Sequence, residues 1–160
     1  MNSFNTGKYS VEIIKPSGTM PKRIENFLKK IDKSFYEPLS MRVNLKDYSA
    51  KLSEKATNIF LMLSSNDIAH AAIYILDSQP KIFISNFGVI SEYEGKGIGS
   101  LLLRLVENYA IESKVSFIEL EVDCRSANLI KFYNKNGFKK NTSSFTEKKS
   151  IFFKDIRDVV

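Results

Sequence analysis

Cysteine is nearly missing from this 160-residue chain. Cys124 stands alone, which excludes an internal disulfide and a cysteine cluster for a metal ion. Long hydrophobic runs are missing too: no stretch reaches the roughly 18 apolar residues of a membrane-spanning helix. The first eight residues hold no apolar core of a secretory signal, so the expected compartment is the cytoplasm, with no membrane partner. Repeats, low-complexity segments and domain linkers are likewise not found, and the length suits one domain, 1–160. Histidine occurs once. His70 lies near an expected hairpin turn, away from the motifs below and without an evident carboxylate partner, which argues against a catalytic role.

What is there is ordinary for a globular protein: 43% hydrophobic and 26% charged residues. The formal net charge is +6. Its lysines are dispersed, pairing only at Lys29-Lys30, Lys139-Lys140 and Lys148-Lys149, and no basic helix face alternates with stacking aromatics. Nucleic acid is therefore not the expected partner, whereas a general positive potential suits a phosphate-bearing ligand.

One stretch organises the chain. Lys81–Val89 is apolar, aromatic and β-branched and reads as a buried strand, and Ser91-Glu92-Tyr93 follows as a polar turn. After Glu94-Gly95-Lys96-Gly97-Ile98-Gly99 the period changes: Ile98, Leu101, Leu102, Leu105, Val106, Tyr109 and Ala110 keep helical spacing. Three glycines thus sit between a strand end and a helix start. There, unpaired N–H groups and the positive end of the helix dipole suit a phosphate, and glycine lets the backbone come close. A bend that merely needs positive φ angles is the other reading of the same glycines. The pattern is neither the dinucleotide fingerprint nor a P-loop.

A second landmark follows. Ile118–Asp123 alternates like a strand, with Glu119, Glu121 and Asp123 on one face. Ser126 through Phe138 then reads as a short helix closed by Gly137. Together the two landmarks resemble the GNAT superfamily of N-acetyltransferases, closely over residues 82–138. The family motif [RQ]-x-x-G-x-[GA] after a strand ending in Val corresponds to Val89 and Glu94 through Gly99, and N-x-x-A-I-x-L-Y-x-x-x-G-F corresponds to Ser126 through Phe138. Two positions depart from it. Glu94 stands where the family has Arg or Gln, so only its backbone is expected to serve. Ser126 stands where the family has Asn, with Asn128 two residues on.

The rest of the chain supplies the expected scaffold. Tyr9–Ile14 reads as a strand. Pro21 opens a helix with the stripe Ile24, Phe27, Leu28, Ile31 and Phe35, and Asn44 caps another carrying Leu45, Tyr48, Leu52 and Ala56. Asn58–Ser64 and Ile68–Leu76 form a hairpin about a turn at Ser65–Asp67. A polar segment, 139–145, precedes a final strand at Ser150–Lys154. The fold class is α/β, of the order βααβββαβαββ. Its expected mixed central sheet has about six to seven strands and about four helices, with the strands at 81–89 and 117–123 parallel.

The resemblance implies that these parallel strands splay to admit acetyl-CoA, and that the chain moves an acetyl group to a primary amine by direct attack, without a metal. It assigns the cofactor to Gly95, Lys96, Gly97, Ile98, Gly99 and Ser100 for the pyrophosphate, to Phe87, Gly88 and Val89 for the pantetheine and thioester carbonyl, and to Ser126, Asn128 and Tyr133. Tyr133 would be the general acid and Glu121 the base. Cys124 as an acyl-carrying nucleophile is not expected, since direct transfer does not need one. Tyr36, Glu37 and Arg42, between the first two helices, are candidates for acceptor contacts. The expected acceptor is a small-molecule amine, used by a monomer or homodimer. A protein N-terminal or lysine acetyltransferase and a non-catalytic acyl-CoA-binding regulatory module are the alternatives.

Overall fold

The computed structural model describes residues 2–76, 78–145 and 148–157. Its elements are β1 (Asn2–Thr6), β2 (Tyr9–Ile14), α1 (Pro21–Ile31), α2 (Leu45–Lys55), β3 (Thr57–Leu63), β4 (Asn66–Leu76), β5 (Lys81–Val89), α3 (Ile98–Glu112), β6 (Phe117–Asp123), α4 (Ala127–Lys135), β7 (Lys139–Phe145) and β8 (Lys149–Asp155). The hydrogen-bonded strand order is β1-β2-β3-β4-β5-β6-β8-β7. This is the expected mixed α/β sheet with four helices, extended by β1, which pairs with β2 from Asn2↔Ile13 to Thr6↔Tyr9 across a turn at Gly7. The chain groups into two units, 1–74 with 86–102, and 75–85 with 103–160.

In the first unit β1 to β4 form an antiparallel meander, interrupted after β2 by α1 and α2. Pro21 occupies the first turn of α1, where its missing N–H costs nothing, and Ile24, Phe27, Leu28 and Ile31 are buried as their spacing predicts. They join Ile14, Leu52, Phe60 and Ala72 in one core cluster. Burying each such side chain contributes about 1.5–3 kcal/mol. The helix stops at Ile31, and Phe35 lies beyond it, partly buried against the same cluster. Two short 3-10 turns, Asp32–Ser34 and Leu39–Met41, fill the connection to α2. The Asp32 carboxylate holds them together by accepting from Ser40 N at 2.7 Å and Ser40 Oγ at 2.6 Å, which keeps its pKa low. Asn44 caps α2 as expected, its Oδ1 accepting from the Asp47 N–H at 3.0 Å. The β3–β4 turn lies one residue earlier than the composition suggests. Ser64 and Ser65 both take positive φ, 50° and 67°, and Asn66 already pairs with Leu63.

In the second unit β6 pairs antiparallel with β8 from Phe117↔Asp155 to Asp123↔Lys149, and β8 with β7. β5 and β6 are parallel, with a ladder from Lys81↔Phe117 to Ile84↔Leu120. Along β6, Ile118, Leu120 and Val122 are buried, which fits the alternation. Lys154 ties three elements: its Nζ lies 2.6 Å from Glu107 Oε1 of α3 and donates to Asn136 O, at the end of α4, at 3.0 Å. A cation at that position also favours the negative end of the helix dipole.

Candidate functional site

In the first unit the glycine bend is an array of main-chain donors. Gly95 and Gly97 hold φ of 73° and 79°, a region that disfavours side chains, and a Cβ on either would meet nothing within 4 Å. Their conformation, not crowding by neighbours, requires glycine. α3 begins at Ile98, and its first backbone bond is Leu101 N to Gly97 O at 3.0 Å. As at any helix start, the N–H groups of the first turn of α3 have no partner within the helix. A glycine bend that runs into a helix start has the make-up of an anion cradle. The Ile98 side chain, 2% exposed, anchors the bend in the core. Lys96 is exposed, with its Nζ 5.4 Å from the Tyr93 ring centroid. Glu94 is exposed and has no ion-pair partner among the described residues, while its N–H donates to Ser91 O at 3.2 Å.

The end of β5 is placed by two contacts. An added Cβ at Gly88 would lie 2.4 Å from Ile31 Cδ1, so the end of α1 seats directly on the strand beside Phe87 and Val89. Asn86, just before them, belongs to a buried polar chain that the sequence reading missed. Asn58 Nδ2 donates to Leu52 O at 3.0 Å and to Ala56 O at 3.4 Å, leaving its Oδ1 to accept from His70 Nε2 at 2.8 Å. His70 Nδ1 then accepts from Asn86 Nδ2 at 3.0 Å. The imidazole is fully buried beside the Phe60 ring, centroids 4.7 Å apart. Burial, helped by the charge of Arg23, lowers its pKa to about 3, so it stays neutral. His70 is therefore structural, as expected, but it is not remote from the first motif: it holds that motif's strand. The available signal was three polar residues set inside otherwise apolar strands.

In the second unit α4 ends in a Schellman motif. Phe138 N donates to Tyr133 O at 2.9 Å, Gly137 N to Asn134 O at 3.1 Å, and Gly137 takes φ 89°. The rings of Tyr133 and Phe138 meet edge-on with centroids 5.6 Å apart. Tyr133 is 4% exposed, and burial raises its phenol pKa, keeping it protonated. Ser126 is the N-cap of α4, its Oγ accepting from Leu129 N at 3.3 Å, and Asn128 is exposed. The three carboxylates of β6 each meet a cation: Glu119 with Lys81 at 2.9 Å, Glu121 with Lys149 at 3.6 Å and Asp123 with Arg125 at 2.6 Å. Cys124 Sγ lies 3.0 Å from Ser150 Oγ. Among the described residues no group of three His, Cys, Asp or Glu is arranged to hold a metal ion, and no helix is long and apolar enough to cross a membrane.

Residues 23–138 match the model of the acetyltransferase (GNAT) family. A comparison with curated protein sequences gives no match. Among solved structures, the chain is similar to the ribosomal-protein-S18-alanine N-acetyltransferase from Escherichia coli, with 18% identity and a TM-score of 0.73 over 92% of this chain and 94% of that one. It is also similar to the PaiA N-acetyltransferase from Thermoplasma acidophilum in complex with coenzyme A, with 18% identity, TM-score 0.71 and coverage of 91% and 98%. The GNAT domain of S. lividans PAT gives 18% identity, TM-score 0.74 and coverage of 93% and 91%. Identities this low carry the fold alone.

Proposed function

Since the chain belongs to the acetyltransferase (GNAT) family, whose members use acetyl-CoA as acetyl donor, we propose that residues 1–160 act as one N-acetyltransferase domain. Its acceptor is the primary amine of a small molecule, and Tyr133 is the general acid. The observation that carries this reading is the bend at Gly95 and Gly97, with positive φ and open space at both, leading straight into the start of α3. A diphosphate is a ligand that such a bend fits, because its charge is spread over several oxygens.

Acetyl-CoA supplies an acetyl group activated as a thioester. The residues of this chain do the rest. Gly95, Lys96, Gly97, Ile98, Gly99 and Ser100 grip the diphosphate through their amides, with the Lys96 ammonium adding charge. The main chain at Phe87, Gly88 and Val89 pairs with the pantetheine in the manner of an added strand. An N–H near Val89 polarises the thioester carbonyl. Tyr133 keeps its proton at neutral pH and delivers it to the departing sulfur. Glu121 takes the proton of the incoming ammonium by way of water. Ser126 contributes through the cap it forms, and Asn128 lies on the exposed start of α4.

Calorimetry with CoA, followed by thiol release from acetyl-CoA across an amine panel, tests the reading. Micromolar CoA binding with amine-dependent thiol release supports it. Binding without turnover of any amine makes the chain a regulatory acyl-CoA module, and no CoA binding removes the reading altogether.

A further inference from the structure

The register of β6 and β8 puts Lys154 on an unexpected side of the sheet. Ile118 stands opposite it, Leu120 opposite Phe152 and Val122 opposite Ser150. Lys154 therefore shares a face with five residues that are at most 4% exposed. An apolar side chain would suit that face. A lysine there carries a desolvation cost, and so does its partner Glu107 on α3, itself buried. Buried ion pairs can often be replaced by apolar residues of similar volume with no loss of stability. Support of the fold is thus not reason enough for this one.

What the pair holds supplies a reason. Lys154 Nζ, 2.6 Å from Glu107 Oε1, also donates to Asn136 O at 3.0 Å. That carbonyl belongs to the C-cap of α4, where helical partners run out. The Lys154 stem closes on the next residue as well, since a Cβ at Gly137 would lie 3.0 Å from its Cε. The turn gripped in this way is the one that carries Tyr133. Asn136 N donates to Tyr133 O at 3.1 Å and Phe138 N to the same oxygen at 2.9 Å, while the Tyr133 and Phe138 rings meet edge-on. A hydrogen bond has a preferred direction, whereas apolar contact has none. The pair can therefore orient this turn in a way that methylenes in its place could not.

We infer that Lys154, aimed by Glu107, is a positioning residue for the proposed reaction: it sets where the Tyr133 phenol stands when the sulfur departs. This rests on the reading of Tyr133 as the general acid. Proton delivery requires hydrogen-bond reach between acid and leaving group, and a misplacement of about 1 Å can lower a rate about 100-fold. Lys154 acts through the last turn of α4, not by contact with the reactants. CoA affinity, assigned to the glycine bend and the end of β5, does not depend on it.

The test uses the full chain, acetyl-CoA and whichever of tyramine, spermidine and an alanine-initiated tetrapeptide releases thiol fastest. Glu107→Leu combined with Lys154→Met makes the pair apolar. This double variant is expected to keep the parent's thermal midpoint or exceed it, to lower kcat about 10- to 100-fold, and to leave CoA affinity by calorimetry unchanged. In a Tyr133→Phe background the same double change should lower kcat no further, because the group it positions is gone. Glu107→Gln keeps an acceptor for the ammonium, so its kcat should fall between parent and apolar pair; it carries the test alone if the double variant does not fold. A pair that merely supports the fold would keep kcat wherever the midpoint is kept. Parental kcat in the folded variants, an equal loss in both backgrounds, or weakened CoA binding overturns this inference. Tyr133→Phe as active as the parent, turnover of no probe amine, or no CoA binding overturns the functional reading beneath it, and the inference with it.

Discussion

In the proposed function the glycine bend and the end of α4 are given opposite means of acting. At the bend the proposed contacts are main-chain N–H groups, and side chains matter where they would obstruct the required φ at Gly95 and Gly97. At α4 the main chain merely ends a helix, and the proposed chemistry rests on one phenol. A main-chain site tolerates side-chain change, which explains how Glu94 can stand where an arginine or glutamine is usual. A side-chain site does not.

The largest effect should fall on the side-chain half. Tyr133→Phe is expected to lower kcat about 100-fold, the low end of general acid catalysis, while calorimetry finds CoA affinity unchanged. An equal loss of affinity would erase the distinction drawn here. Next comes the link that holds the main-chain edge, the Asn58–His70–Asn86 chain. The His70 pKa falls from 6.5 in the unfolded chain to about 3 in the folded one. Above pH 6.5 both states are neutral and the group is silent. Below it only the unfolded state takes up the proton, so stability falls with pH, by about 1.4 kcal/mol per unit from this residue. Urea denaturation between pH 6.5 and 4.5 measures the slope, and His70→Gln should flatten it.

A smaller effect is expected at the bend. Gly97→Val forces a β-branched residue into φ 79°, a strain of about 1–2 kcal/mol, and should weaken CoA roughly tenfold with kcat at saturation nearly kept. The smallest is Glu94→Gln. Removing one exposed carboxylate near a diphosphate should tighten CoA about threefold at low salt, with the gain fading as ionic strength rises. Looser binding would mean that the carboxylate itself serves the ligand.

Local chemistry was legible in the sequence where it dictates local structure. The stripe of α1, the Asn44 cap, the glycine bend and the Gly137 terminus each announce themselves within a few residues. β1 does not, because Asn2-Ser3-Phe4-Asn5-Thr6 has a single apolar residue and is a strand through its pairing with β2. The partners of the acidic face were hidden for a similar reason. Lys81 and Lys149 come from β5 and β8 and meet Glu119 and Glu121 only after the strands align. The Asn58–His70–Asn86 chain joins three strands and needs the whole sheet to exist.

The helix terminus at Tyr133 has an evolutionary corollary. Its carbonyl oxygen takes the N–H groups of Asn136 and Phe138 whatever ring the residue bears, so exchanging tyrosine for phenylalanine would leave every turn and ladder in place. On the proposed mechanism, a descendant could fall silent by shedding one oxygen atom and still fold like its parent. Retirement from catalysis by that route would leave no scar on the backbone.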